Sequence, residues 1–143
     1  MNLDAFKQAL VASTAHMLSW QEMETEGKST VLSTFFGTRG YDDGIRTFVE
    51  LDEQGMLVVT FVFDNIEYSK DTLKLVNFFN ESVCFLKAYI KKGRESNRLT
   101  VQFSNPGCKD VNEACEQVQT AFGILSADST VTYLRPLTIL TEE

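Results

Sequence analysis

Three features of the sequence predict an α+β domain built on a mainly antiparallel sheet. Residues 45 to 51, 84 to 91 and 98 to 103 alternate side chains with the two-residue period of strands. Val111, Ala114, Cys115, Val118, Ala121, Phe122 and Leu125 instead recur at the three- and four-residue spacing of one helix face. Short turn sequences, such as "DEQG" (Asp52–Gly55) and "SNPG" (Ser104–Gly107), separate these runs. The expected order is helix, three strands, helix, two strands, helix and an extended carboxyl-terminal tail. Residues 1–143 form one domain, with 1–127 as its core and 128–143 as the extended segment.

Leu3, Phe6, Leu10, Thr14 and Met17 share one face of a helix expected over residues 2 to 20, with Asn2 as its cap. Lys28 to Phe36 reads as a strand, and "GTRGYDDG" (Gly37–Gly44) turns the chain. In the next strand Ile45, Thr47, Val49 and Leu51 alternate with Arg46, Phe48 and Glu50. The strand from Met56 to Phe63 is different, because Met56, Val58, Thr60 and Val62 form one row and Leu57, Val59, Phe61 and Phe63 the other. Both rows are apolar, which predicts cover on both faces. The second cover could be the amino-terminal helix, another sheet or another subunit.

Ser69 caps a helix expected to run to Glu81, with Asp71 near its positive end and Leu73, Val76, Phe79 or Asn80, and Val83 turned inward. A hairpin follows: Cys84, Leu86, Ala88 and Ile90 point inward on its first strand, and Leu99, Val101 and Phe103 on its second. Asp110 with Glu113 resembles a capping box for the third helix. The tail is rich in β-formers but holds Pro136, which confines it to an edge strand or an irregular arm.

Composition excludes several functions. The net charge of −7 opposes a nucleic-acid backbone, and the best basic group, Lys87, Lys91, Lys92, Arg94 and Arg98, is broken by Glu95 around a hairpin. Three cysteines with no paired framework fit a reducing cytoplasm, and no apolar run is long enough to cross a bilayer. Neither nucleic acid nor membrane is therefore expected as a partner. His16 is the one histidine, so histidine-based zinc sites and Ser–His or Cys–His pairs would all need it, and it lies off the apolar stripe of its helix. Cys84 and Cys115 read as inward fillers and Cys108 as the exposed thiol. Asp42 and Asp43 lack the alternating acids of a calcium loop, and Gly37, Gly40 and Gly44 lack the Lys-Ser/Thr pair of a phosphate loop. No cofactor or metal is expected.

The stretches "GIRTFVELDEQGMLVVTFVF", "KDTLKLVNFFNESVCFLKAYIKKGRESNRLTVQF" and the helix from Asp110 together resemble the type III secretion chaperone-like fold, in particular the YbjN-like group of small bacterial proteins. The resemblance covers roughly residues 28 to 125 and is one of topology. It implies a protein that acts without catalysis, often as a homodimer that binds other polypeptides.

The expected function is accordingly a non-enzymatic protein-binding or regulatory module, chaperone-like or an adaptor, and dimeric. A doubly apolar strand, abundant phenylalanine and an edge-like tail all offer surface for strand addition or helix packing. Phe48, Phe61 and Phe63 are the expected apolar contacts, with Tyr133, Leu137 and Ile139 on the arm. The alternative is a small-molecule-binding domain or small enzyme using Asp64, Asn65, Glu67 and Tyr68 with Asp42 or Asp43.

Overall fold

The computed structural model describes residues 1–25 and 27–139. Its elements are α1 (Leu3–Thr14), β1 (Gln21–Met23), β2 (Ser29–Thr38), β3 (Tyr41–Asp52), β4 (Leu57–Phe63), α2 (Lys70–Ser82), β5 (Lys87–Lys91), β6 (Arg98–Asn105), α3 (Val111–Ser126) and α4 (Asp128–Thr138). The six strands form one sheet in the order β1-β2-β3-β4-β6-β5, and every neighbouring pair is antiparallel. The α+β class and the antiparallel sheet are those the sequence predicts.

One face of the sheet carries the core. Leu57, Val59 and Phe61 of β4 are fully buried, as are Val49 and Leu51 of β3 and Leu99 and Val101 of β6. The helices supply the facing layer through Phe6, Leu10, Phe79, Val118, Phe122 and Leu134. Phe122 stacks on Phe36 with ring centres 4.5 Å apart and meets Phe61 at 6.0 Å. Aromatic pairs at such distances add a directional term to area burial.

Three helices begin where the sequence places a cap. Asn2 Oδ1 accepts from the Ala5 amide at 3.0 Å, Ser69 Oγ from the Thr72 amide at 3.2 Å and Asp110 Oδ1 from the Glu113 amide at 2.8 Å. α1 stops at Thr14, short of the expected residue 20. There Thr14 Oγ1 donates to the Leu10 carbonyl and accepts from Trp20 Nε1, both at 2.7 Å, so the chain folds back into β1.

The tail corrects the expectation of an extended arm. Residues 128–138 form α4, whose Thr130, Leu134 and Leu137 are buried at helical spacing. Packing against α2 and α3 overrides the β-propensity of its Thr, Val and Tyr residues. Pro136 sits in the last turn, where its fixed φ suits the helix and its missing N–H removes one intrahelical bond. An edge strand is therefore not available here, and residues 140–143 lie outside the described residues.

The outer edge of the sheet at β5 is closed by a side chain. Asn80 of α2 donates from Nδ2 to the Ala88 carbonyl at 2.8 Å and accepts from the Ala88 amide at 2.7 Å. It pairs with the strand as another strand would, and so blocks strand addition at that point. Asn80→Ala leaves both Ala88 groups unmatched in a residue only 1% exposed. The expected cost is about 1–3 kcal/mol, read as a lower urea midpoint together with faster hydrogen exchange of the Ala88 amide. An unchanged exchange rate would show that the amide pairing does not protect the edge.

Candidate functional site

The second face of the sheet is bare. Among the described residues no helix covers it, because α1 joins the other helices in the single core. The strand registers set its side chains in rows. Val31, Glu50, Val58 and Ser104 form one row; Ser33, Phe48, Thr60, Gln102 and Lys87 the next; and Phe35, Arg46, Val62, Thr100 and Tyr89 the third. Val31, Phe48, Val58 and Val62 are half-buried by their neighbours alone, whereas Phe35 is 66% exposed. The doubly apolar strand thus has a core row and an uncovered row.

Charge is divided between the two ends of this face. Arg46, Arg98 and Lys91 lie at one end with Asp64, whose Oδ1 is 3.1 Å from Arg46 and 3.3 Å from Arg98. Two guanidiniums therefore share one carboxylate. The other end carries Glu50, Asp52 and Glu53, with Lys28 beside them and the Met1 ammonium donating to the Glu53 carbonyl at 3.0 Å. Arg46 also lies over the Phe48 ring, 5.9 Å from its centre, in a cation–π contact.

The expected contact residues are dispersed. Phe48 is on the bare face. Phe61 is fully buried on the core face, and Phe63 lies on that same side, half-buried with its ring 5.5 Å from Tyr41. Leu137 is fully buried between helices, while Tyr133 of α4 and Ile139 just after its end are exposed. Phe61 and Leu137 cannot meet another chain without unfolding the core, which corrects their assignment as contacts. The residues missed are Phe35, Val31, Val58, Val62 and Tyr89. The alternation that marks Phe48 as outward also places each of these outward.

The cysteines exchange roles. Cys108 is buried, with its amide donating to the Gly55 carbonyl at 3.0 Å, and Cys84 is exposed. The reason is Phe85, whose φ of 71° breaks the strand period before Leu86, so that β5 begins only at Lys87. Burial, followed by the nearby Glu113 and Asp110 carboxylates, pushes the Cys108 thiol above its ordinary pKa, which makes it a poor nucleophile.

The polar cluster after β4 is tied up in local contacts. Asp64 holds its two arginines, and Tyr68 receives Lys92 over its ring at 4.2 Å. Asp42, Asp43 and Glu67 are exposed. Among the described residues no three His, Cys, Asp or Glu side chains gather into a metal-binding group, and no helix is long and apolar enough to cross a membrane.

Comparison with known proteins adds the fold. No protein family and no curated sequence matches the chain. Among solved structures it matches YbjN, "a putative transcription regulator from E. coli", with a TM-score of 0.66 over 99% of this chain and 97% of that one. This chain has a YbjN-like fold. At 14% identity the likeness is one of backbone architecture. It extends through α1 and α4, beyond the residues that carry the sequence resemblance.

Proposed function

We propose that the protein is a non-enzymatic binding module that works as a homodimer, its two subunits paired through the bare faces of their sheets. The observation that carries this reading is the self-complementarity of that face. Phe48 and Thr60 lie in its middle row, on the two middle strands. A two-fold axis running across the strands at that row sets Phe48 against its own copy. It also turns the Arg46 end of one subunit over the Glu50 end of the other. On β4 the same axis lays Val62 over the partner's Val58.

Such a pairing is isologous, with one patch serving both sides, and its charges attract at both ends. The face measures roughly 24 Å by 20 Å from strand spacing and rise. A stable pair takes about 800 Å² of accessible surface from each partner, so nearly the whole face has to be used. An axis at the centre of the face achieves that. The helical layers then point outward, where a regulatory or chaperone-like adaptor would meet other polypeptides. The regulatory description of the structurally similar YbjN supports this direction.

Light scattering is expected to give about twice the chain mass of 16.1 kDa. Phe48→Asp should yield folded monomer. Arg46→Glu and Glu50→Arg should each weaken pairing at least tenfold, about 1.4 kcal/mol, and the double exchange should restore part of the loss. A wild-type monomer at high micromolar concentration would end the proposal. Equal pairing in the single and double exchanges would reject the register.

A further inference from the structure

A cleft opens where β4 stops and β3 does not. The last rung between them is Arg46 with Val62, beyond which β3 continues to Tyr41 with only β2 beside it. The chain leaves β4 through Asp64 to Ile66, and the end of α4 closes the gap. The space enclosed is about 430 Å³, within the ~300–1,000 Å³ of small-ligand sites.

Its chemistry is uneven. Ile45 and Ile66, 2% and 1% exposed, give it an apolar floor. Its charged lining is Arg46, Arg135 and Asp64, and Asp64 already serves Arg46 and Arg98. Among the described residues no hydrogen bond or ion pair engages the Arg135 guanidinium, although its carbonyl accepts from Thr138 Oγ1 at 3.2 Å. Arg46 Nε is buried with no acceptor among the described residues, a state that calls for a reason in a native structure.

The helix end that carries the arginine is held in place. Tyr41 and Thr138 hydroxyls meet at 2.8 Å, which ties the last turn of α4 to β3. Burial raises the Tyr41 pKa, so the phenol stays neutral and adds no anion to the cleft. Gly40 lies beside the guanidinium, where an added Cβ would stand at ordinary contact distance, 3.6 Å from Arg135 Nη1.

We propose that this cleft binds a monoanionic carboxylate carried on a small apolar body, with Arg135 as its principal anchor. A guanidinium matches a carboxylate through two parallel hydrogen bonds, and the half-buried Phe63 and exposed Ile139 of the lining take the apolar part above the isoleucine floor. Phosphate fits less well, because its second charge would face Asp64 and it has nothing to place on the floor. The carboxylate could belong to a free organic acid or to the end of a peptide. Phe35, Arg46 and Val62 of its lining also lie on the face proposed to pair, whereas Arg135, Ile45 and Ile66 do not.

Calorimetric titration of the full chain tests it with hydrocinnamate, hydrocinnamide, an acetylated dipeptide ending in a phenylalanine carboxylate, the corresponding dipeptide amide and inorganic phosphate. One or both acids should bind, each at least tenfold more tightly than its amide, with no binding of phosphate. The tighter of the two acids identifies the source of the carboxylate. Arg135→Gln should weaken the acid at least tenfold and Arg135→Lys should recover part of it, while thermal melting without ligand stays near wild type because Arg135 is exposed. Absence of binding by both acids, equal binding of acid and amide, or an Arg135→Gln variant that binds normally would each overturn the proposal.

Discussion

Gly55→Ala is expected to remove about 3–5 kcal/mol of stability, which is a third or more of what a domain of this size ordinarily has. Gly55 has a φ of +90°, in the region that costs an L side chain about 1–3 kcal/mol. A Cβ there would stand 2.3 Å from the Cys108 carbonyl oxygen and 3.2 Å from its carbon. Those are backbone atoms, so no rotamer change relieves the overlap. The loop before α3 has to move, and the Cys108 amide then loses its 3.0 Å bond to the Gly55 carbonyl. Gly107 supplies the control, because a Cβ there meets no atom within 4 Å. Urea unfolding should show a large fall in midpoint for Gly55→Ala and less than about 1 kcal/mol for Gly107→Ala. Similar midpoints in the two variants would refute the close approach of the β3–β4 turn to the Cys108 loop.

What the sequence made legible follows from what periodicity records. Alternation over residues 45 to 51 and the unbroken stripe from Val111 to Leu125 each report one covered face, and both match the observed burial. The caps Asn2, Ser69 and Asp110 were legible because a capping bond is local. Three things were not. β1 is three exposed residues with no period to detect, and it exists because β2 offers it an edge. α4 is hidden under β-favouring residues, and only the spacing of Thr130, Leu134 and Leu137 announces it. Phe85 takes Cys84 out of the inward row by one backbone angle, which no side-chain pattern encodes, while Leu86 and Ala88 keep their inward places.

The candidate site was legible in part for a related reason. Two apolar rows on β4 announce two surfaces but do not say which belongs to the subunit's own core. Phe61 and Phe63 look as suitable for contact as Phe48 until the helices are placed. The cleft beyond β4 was less accessible still. Its lining comes from β2, β3, β4 and α4, and Asp64 marked the right place without its partner Arg46 being linked to it.

The two phenylalanines give opposite results that test the division of the sheet into a core face and a contact face. Phe61 is fully buried, with its ring 6.3 Å from Phe36 and 6.0 Å from Phe122. Truncating it leaves a cavity that the strands on either side cannot close, so Phe61→Ala should cost about 3–5 kcal/mol. Phe48→Ala removes a half-buried ring from the bare face and should cost the single subunit about 1 kcal/mol or less. Its effect appears instead in the concentration dependence of melting. Pairing stabilises only the folded chain, so the wild-type melting temperature should rise with protein concentration. In Phe48→Ala that rise should be lost, whereas Phe61→Ala should melt lower at every concentration and keep the slope for as long as it folds. A flat wild-type curve would remove the dimer and leave the core assignment standing; a mild Phe61→Ala would do the reverse, because burial is a property of one subunit and pairing of two.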